Sequence, residues 1–316
     1  MPPLFETMLL VFGLVALGYA FGRAGLLGTR TGDGLTDFAV TVGIPVLLFR
    51  TLVEADFSGA RPWALWGAYF SSVALAWIVG QSIVRRVFGR DARAAIVGGV
   101  AASFSNLVLL GAPLVLGIFG QAGFEVLSLI VIVHLPIMMA SSIVLFAWVD
   151  RTADGGLSPL SLLRQFLRVF LGNPLIIGIL AGIAWRFAGW PIPYVARPVV
   201  DALASVAGPV ALFAVGLGLV QFGIRGAVLP ALALAPLKLF AMPAIVLVLA
   251  MAFGLPPLVA KVAVVGAAMP TGVNPYLIAT RFGTGQALAS NTMTITTAGA
   301  VLTTAFWLVV AEMVFG

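Results

Sequence analysis

Apolar stretches of about twenty residues, the length that a helix needs to cross a lipid bilayer, follow one another along nearly the whole chain. Hydrophobic residues make up 61% of the 316 positions and charged residues only 9%, and the mean hydropathy is +1.15. A soluble protein of this length would need far more charge to cover its surface. The sequence therefore predicts an all-α polytopic membrane protein.

Charges and turn residues divide the apolar sequence into ten predicted transmembrane helices, or spans. Five spans precede and five follow one longer polar connection, Asp150 to Gln165. We expect residues 1–149 to form one five-helix repeat, residues 150–167 a cytoplasmic linker and residues 168–316 a second five-helix repeat. The ten spans cover residues 5–27, 34–53, 63–86, 93–119, 123–149, 168–188, 196–222, 228–253, 257–281 and 287–314.

Arginine and lysine are distributed unequally between the two predicted sides of the membrane. Eleven of these residues fall in odd-numbered connections and five in even-numbered connections. Because cytoplasmic connections are enriched in these residues, we expect the odd-numbered connections in the cytoplasm and both termini outside the cytoplasmic (inner) membrane. The net charge of +6 reflects this asymmetry and indicates no nucleic-acid partner.

Two pairs of segments match when the chain is compared with itself. At an offset of 164, DFAVTVGIPVLLF (37–49) aligns with DALASVAGPVALF (201–213), and six of thirteen residues are identical. At an offset of 168, RAAIVGGVAASFSN (93–106) aligns with KVAVVGAAMPTGVN (261–274). Since each half holds an odd number of spans, the second copy enters the membrane from the opposite side. The sequence thus predicts an inverted repeat, which is typical of secondary transporters.

Spans four and nine, which match in the second comparison, both contain helix-breaking residues. Each proline removes a backbone donor and clashes with the preceding turn, so both helices should open near their middles. An open backbone in hydrocarbon persists only where protein or a water-lined cavity satisfies its polar groups. The predicted breaking residues are Gly111 and Pro113 in span four and Pro270, Gly272 and Pro275 in span nine.

Polar side chains beside these breaks are the predicted substrate-binding residues. The partial positive N-terminal ends of opposed half-helices would attract an anion, and the side chains would supply directional hydrogen bonds. The alternative is that glycine and proline are simply common in membrane helices and that the asparagines hold helices together. The candidates are Asn106, Asn274, Ser103, Ser105 and Thr271.

Four ionisable residues are candidates for ion coupling, because burial of a charge in a membrane is costly. His134, in span five, could carry a proton or could hydrogen-bond to carbonyls loosened by Pro136. Lys238 lies about ten residues, or roughly 15 Å, into span eight. It would act as a counter-charge for a carboxylate or for a coupling aspartate, or it would snorkel to the interface. Asp37 and Asp201 occupy equivalent positions in the two repeats, where helix capping or scaffold hydrogen bonding is the favoured role.

The sequence contains few of the residues and motifs that enzymes, metal sites or nucleotide-binding proteins need. No cysteine is present, which excludes thiol catalysis and cysteine-ligated metals, and no Gly-x-x-x-x-Gly-Lys-Ser/Thr phosphate-binding motif occurs. One histidine and widely separated aspartates disfavour an intramembrane enzyme. We expect no cofactor and no metal site. A substrate-gated channel is an alternative to a carrier, and only a carrier would show saturable flux stimulated by counter-substrate.

Four segments resemble the auxin efflux carrier family of transporters. The shared features are an asparagine with spaced glycines and Gly-x-Pro in span four, an Asn-Pro start to span six, a proline in span two and a proline-rich crossover in span nine. The segments are SNLVLLGAPLVLGIFGQAG (105–123), GNPLIIGILAG (172–182), VGIPVLLF (42–49) and MPTGVNPYLIATRFG (269–283).

The resemblance implies a ten-helix inverted-repeat fold shared with the bile acid sodium symporters. Spans 1, 2, 6 and 7 would form a scaffold, which is also the candidate surface for a homodimer, and spans 3–5 and 8–10 would form a transport domain that moves as an elevator. Helices 4 and 9 would cross at the site. Asn106 and Asn274 then match the crossover asparagines of the family, and Pro113 and Pro270 match its helix-breaking prolines.

The implied function is alternating-access transport of a small organic anion, expected to be a carboxylate. No Asp or Glu lies within the crossover motifs, which favours a proton or no coupled ion over sodium. A sodium-coupled symporter similar to the bile acid carriers is the alternative, since backbone carbonyls and side-chain amides could also bind sodium.

Overall fold

The computed structural model describes residues 2–55, 62–154, 159–222 and 226–316, and within these ranges the chain forms helices and no strand. Residues 155–158 of the predicted linker, and Arg61 and Arg225 of the charge count, lie outside the described residues. The helices are α1 (Pro2–Arg23), α2 (Thr29–Phe38), α3 (Ile44–Glu54), α4 (Pro62–Ser82), α5 (Ala92–Ser103), α6 (Ala112–Asp154), α7 (Pro159–Leu171), α8 (Pro174–Phe187), α9 (Arg197–Phe222), α10 (Val228–Pro236), α11 (Met242–Ala252), α12 (Pro257–Ala268), α13 (Asn274–Arg281) and α14 (Gln286–Phe315).

Short π-helical segments adjoin several of these helices, and three of them lie just before a proline. Pro45, Pro113 and Pro243 each follow such a segment after one intervening residue. Because a proline ring clashes with the carbonyl four residues earlier and cannot donate to it, a wider turn relieves the clash. The carbonyl of Leu239, four residues before Pro243, instead accepts a hydrogen bond from the indole N–H of Trp307 at 2.8 Å. The segments are Ala39–Gly43, Ile83–Val87, Leu107–Gly111 and Leu237–Ala241.

Seven helical stretches within the described ranges are long and apolar enough to cross a membrane, which confirms a multi-pass, all-helical protein. Three further apolar helices, α5, α8 and α12, are shorter and account for parts of predicted spans four, six and nine. Helix α6 contains the end of span four and all of span five, and Gly120 breaks its helical geometry with φ of 63° and ψ of −160°. The count of ten spans and the inverted repeat stay predictions.

The predicted cytoplasmic linker contains regular structure. Residues 150–154 continue α6, and the residues from Pro159 onward belong to α7. The division of the chain into two repeats with a linker between them stays a prediction.

The chain divides into two compact units. The first unit contains α1, α2, α3, α8, α9 and the beginning of α6. The second unit contains α4, α5, α7, the end of α6 and all helices from α10 onward. The first unit covers Met1–Ala60, Leu107–Ile132 and Phe170–Gln221, and the second covers Arg61–Asn106, Val133–Val169 and Phe222–Gly316.

In the first unit, α1 and α9 approach each other at two glycines. A methyl group at Gly18 would collide with the backbone of Phe213, and a methyl group at Gly216 would collide with the backbone of Val15. Since apolar side chains gain nothing by leaving lipid for a helix interface, close backbone packing at small residues is what holds such helices together.

In the second unit, α5 and α12 are buried on all sides. The nine consecutive residues Ala95–Ser103 of α5 are buried, and so are the seven residues Val262–Ala268 of α12. A helix that is apolar all round belongs inside a protein. Both helices therefore end in the interior of this unit, where their terminal polar groups need partners.

Candidate substrate site

Helices α5 and α12 of the second unit both stop inside the predicted spans. Helix α5 ends at Ser103, and the next helical segment begins at Leu107. Helix α12 ends at Ala268, and α13 begins at Asn274. Spans four and nine are therefore both open, as the sequence predicts. We call the two open segments, residues 104–106 and 269–273, the crossover.

The two segments of the crossover hydrogen-bond to each other. Ser105 and Thr271 form an isolated antiparallel bridge between them. Each break thereby satisfies backbone groups of the other, which is what an open backbone requires in apolar surroundings. The two hydrogen bonds run from Asn106 N–H to the Pro270 carbonyl (2.8 Å) and from Gly272 N–H to the Phe104 carbonyl (3.1 Å).

The predicted helix-breaking residues divide into two groups. Pro270 and Gly272 lie in the opening of span nine, and Pro275 lies in the first turn of α13, where proline is tolerated. In span four the opening precedes Gly111 and Pro113: Gly111 ends the π-helical segment and Pro113 is the second residue of α6. Span four thus opens near its middle, at residues 104–106, where the bridge to span nine lies. That Gly111 and Pro113 cause this opening stays a prediction.

Two of the candidate hydroxyl groups bond to carbonyls near the end of α5. Ser103 Oγ donates to the Gly99 carbonyl at 2.8 Å, and Thr271 Oγ1 donates to the Ala101 carbonyl at 2.7 Å. The backbone N–H of Thr271 donates to Thr296 Oγ1 at 3.0 Å. The hydroxyl hydrogens of Ser103 and Thr271 are thus engaged within the protein, while an anionic substrate needs donors.

Lys238 lies at the crossover, and its side chain is fully buried. Its Nζ atom lies 2.7 Å from the Ala267 carbonyl oxygen, 2.9 Å from Ser105 Oγ and 3.4 Å from Met242 Sδ. These three contacts match the three hydrogens of an ammonium group. Ala267 belongs to the last turn of α12, where carbonyls lack helical partners and a cation is favourable. Lys238 therefore points inward, and the alternative that it snorkels to the interface is wrong.

Lys238 has no ion pair with any carboxylate in the described part of the chain. The two candidate aspartates both belong to the first unit. Asp37 is exposed. Asp201 lies 3.1 Å from Arg50 and 3.9 Å from Arg197, so it connects α9 with α3. This contact between two helices of the first unit agrees with the scaffold hydrogen bonding that the sequence favours for Asp201.

The two candidate asparagines differ in their surroundings. Asn106 is buried, with 8% of its surface exposed, and its backbone belongs to the bridge. Asn274 is half-buried, and its amide makes no hydrogen bond to a described residue. It is the first residue of α13, whose N-cap residue, Val273, supplies no side-chain cap. The N-terminus of this half-helix therefore presents an amide side chain together with uncapped backbone N–H groups.

His134 is buried against aromatic rings. Its ring centroid lies 4.7 Å from that of Phe104, 5.7 Å from that of Tyr69 and 6.2 Å from that of Phe70. Neither ring nitrogen has a hydrogen-bond partner among the described residues. The alternative that His134 bonds to carbonyls loosened by Pro136 is therefore not observed. Since Phe104 belongs to the crossover, His134 packs directly against it.

Sequence reasoning missed two residues that complete the crossover. Thr296 accepts the hydrogen bond from Thr271 N–H and donates its own hydroxyl to the Thr292 carbonyl at 2.7 Å. Met242 contacts the Lys238 ammonium one helical turn further on. The spacing of Thr292 and Thr296 marks one face of α14, but no local signal shows that this face meets span nine.

The family model described as "Membrane transport protein" matches residues 3–308. The chain belongs to the membrane transport protein family. The resemblance to the auxin efflux carriers is thereby confirmed.

Relatives of this family member include proteins named as transporters that align over most of both chains. A protein of Rhizobium meliloti (strain 1021) named "Putative malonate transporter" is 28% identical, over 92% of this chain and 91% of its own. An "Uncharacterized transporter" of Methanothermobacter thermautotrophicus is 26% identical, over 96% of this chain and 97% of its own. The mouse "Lysosomal cholesterol signaling protein" is 29% identical over 69% of this chain, which spans only 26% of the mouse protein.

Proposed function

We propose that this protein is a secondary transporter that moves a small organic anion, a carboxylate, across the cytoplasmic membrane by alternating access. The observation that carries this proposal is the crossover, where a buried lysine without a carboxylate partner in the described chain lies within hydrogen-bonding distance of the broken helices. Membership of a transporter family supports it.

The charge at the crossover favours an anion. A lysine buried at membrane depth is costly unless something compensates its charge. The α12 carbonyl offers only a partial negative charge. An anionic substrate bound near the crossover would complete the compensation, whereas a cationic substrate would be repelled.

The proposed direct contacts are the amides of Asn106 and Asn274. A carboxylate accepts hydrogen bonds, and the Asn274 amide and the first N–H groups of α13 can donate them. Ser103, Ser105 and Thr271 would act mainly by shaping the crossover, because Ser103 and Thr271 donate to carbonyls and Ser105 receives a hydrogen bond from Lys238.

Malonate is the first substrate to test, on the strength of the name of the Rhizobium relative, which matches nearly the full chain. Its two carboxylates would suit a site with one fixed cation and one half-helix N-terminus. Monocarboxylates and longer dicarboxylates form the comparison set.

An elevator movement of the second unit against the first is the proposed mechanism. The first unit contains α1, α2, α3, α8 and α9, which correspond to the four scaffold spans. Residues 107–132, from the expected transport domain, also group with the first unit. The proposed moving body is therefore the second unit as the structure delimits it.

A proton, or no ion, is the proposed coupling partner. Sodium would need several oxygen ligands at the broken helices, such as unwound backbone carbonyls. Here Lys238 already contacts the Ala267 carbonyl and the Ser105 hydroxyl. A resident ammonium group would thus occupy the position that a coupled cation would need.

Uptake of labelled malonate into liposomes that contain the purified protein tests the proposal. We expect saturable uptake that is accelerated by malonate inside the vesicles and is independent of sodium. Flux that never saturates would instead indicate a channel, and strict sodium dependence would indicate a sodium symporter. The carboxylate assignment is wrong if the protein takes up none of the mono- and dicarboxylates and none of them raises its melting temperature.

A further inference from the structure

Helix α7 has an apolar side that the described chain leaves exposed. Four leucines spaced three or four residues apart lie along it, and their exposed fractions run from 41% to 73%. Two arginines, Arg164 and Arg168, follow the same helix one turn apart and border the leucine stripe. A helix with an apolar side and arginines beside it lies in the plane of a membrane interface. The leucines are Leu160, Leu163, Leu167 and Leu171.

A cavity of about 400 Å³ lies between α7 and the end of α13 in the second unit. Arg164, Gln165 and Arg168 of α7 line it, together with Arg281 from the last turn of α13. None of the three arginines forms an ion pair with a carboxylate whose side chain the structure describes. Three arginines from two helices therefore line one space, and no described carboxylate compensates their charge.

The residues that line this cavity suit a phosphate group. Like charges that converge repel one another unless an anion lies between them. Guanidinium groups bind phosphate oxygens through paired hydrogen bonds, and Gln165 adds a neutral donor. The cavity is also separate from the crossover, because Arg281 and Asn274 are at opposite ends of α13, roughly 10 Å apart along the helix axis.

We propose that this cavity binds the headgroup of an anionic phospholipid, whose acyl chains lie along the leucine stripe of α7. The exposed leucines favour a lipid over a free phosphate, since only a lipid covers apolar surface beside the bound phosphate. The positive-inside asymmetry of the sequence assigns both connections to the cytoplasmic leaflet, where anionic lipids attract clustered arginines.

Native mass spectrometry of the delipidated protein, titrated with phosphatidylglycerol or phosphatidylcholine, tests this proposal. We expect at least tenfold tighter binding of phosphatidylglycerol. The triple variant R164Q/R168Q/R281Q should lose this preference, with phosphatidylglycerol bound on the order of a hundredfold more weakly, since each arginine near a lipid surface contributes about fivefold. The control variant R30Q/R86Q/R90Q removes the same charge at exposed arginines outside the cavity and should keep the preference for phosphatidylglycerol.

Three outcomes would overturn the proposal. Equal binding of the two lipids by the wild type, or an unchanged preference in the triple variant, would mean that the cavity does not recognise the headgroup. Displacement of phosphatidylglycerol by an equal concentration of inorganic phosphate would assign the cavity to a soluble anion. Should the triple variant fail to fold, R168Q alone gives the same test, with about a fivefold loss expected.

Discussion

The Nζ atom of Lys238 lies 2.7 Å from the carbonyl oxygen of Ala267 and so closes the C-terminal end of half-helix α12. The same nitrogen lies 2.9 Å from Ser105 Oγ, in the segment that interrupts the other half-helix. One side chain therefore joins both breaks of the crossover. Its removal should affect both the stability of the second unit and the charge that we propose attracts the substrate.

Lys238→Met should weaken malonate binding and lower the melting temperature. Loss of the donor leaves the Ala267 carbonyl buried and unsatisfied, which costs about 1–3 kcal/mol of folding free energy. If the bound carboxylate lies about 8 Å from the ammonium group, at an effective dielectric constant of about 20, the lost attraction is about 2 kcal/mol, or about thirtyfold in Kd. Isothermal titration of the folded variant with malonate measures the second effect.

The matched control for this lysine is Lys261→Met. Lys261 lies 2.8 Å from Glu312 and donates to the Gly316 carbonyl, away from the crossover. Its replacement removes one lysine charge and should leave the malonate Kd unchanged. If Lys238→Met also binds malonate with the affinity of the wild type, the buried ammonium group has only a structural role.

Asn274→Ala should weaken malonate binding on the order of tenfold to a hundredfold, because a hydrogen bond to a charged group contributes about 1.5–3 kcal/mol. Its amide has no described partner within the protein, so the variant should fold normally. Asn106→Ala should weaken binding to a similar degree. Thr294→Ala is the control, since its hydroxyl has no hydrogen-bond partner in the described chain, and it should bind malonate normally.

Binding of malonate to the purified asparagine variants must be measured directly, since lost transport could also report a blocked conformational change. Wild-type affinity in both folded variants would mean that the broken helices serve packing alone. The substrate would then bind elsewhere.

The opening of span nine was predictable from sequence because its cause is local. Pro270 and Gly272 lie in the opening itself, and a proline lacks the backbone N–H that a helix needs at that position. The opening of span four could be predicted only as lying near the middle of the span, because one of its causes is not local. The partner that holds residues 104–106 open is Thr271, more than 160 positions further along the chain.

The roles of Lys238 and α7 show the same difference between local and distant causes. The depth of Lys238 in its span follows from counting residues, but its direction depends on Ser105, which lies 133 positions earlier. The amphipathic character of α7, in contrast, is local: Leu160, Leu163 and Leu167 repeat at helical spacing. The polar composition of residues 150–167 favoured a loop, so the leucine spacing was not interpreted as a helix.

The orientation in the membrane can be tested with single cysteines, because the chain has none of its own. The arginine asymmetry predicts that Ser158 lies in the cytoplasm and Gly316 outside. An impermeant thiol reagent added to intact cells should therefore label Gly316→Cys and leave Ser158→Cys unlabelled. Lysed cells supply the control, in which both variants should react. Labelling of Ser158→Cys alone in intact cells would reverse the predicted orientation.

Replacement of His134 separates proton coupling from packing. His134→Gln keeps hydrogen-bonding groups but cannot titrate, so we expect it to bind malonate normally and to flatten the pH dependence of uptake. In the wild type, a proton carried inward with the anion should make uptake rise as the outside pH falls.

His134→Phe is the packing control for this test, because a phenyl ring fits among the rings of Phe104, Tyr69 and Phe70. It preserves the aromatic contacts but carries neither ring nitrogen, and both nitrogens of His134 are buried without a described partner. A coupling role therefore predicts that both variants lose the pH dependence while the crossover stays folded. If both variants instead transport malonate with the pH profile of the wild type, His134 only packs against Phe104, and the coupled proton, if there is one, is carried by another group.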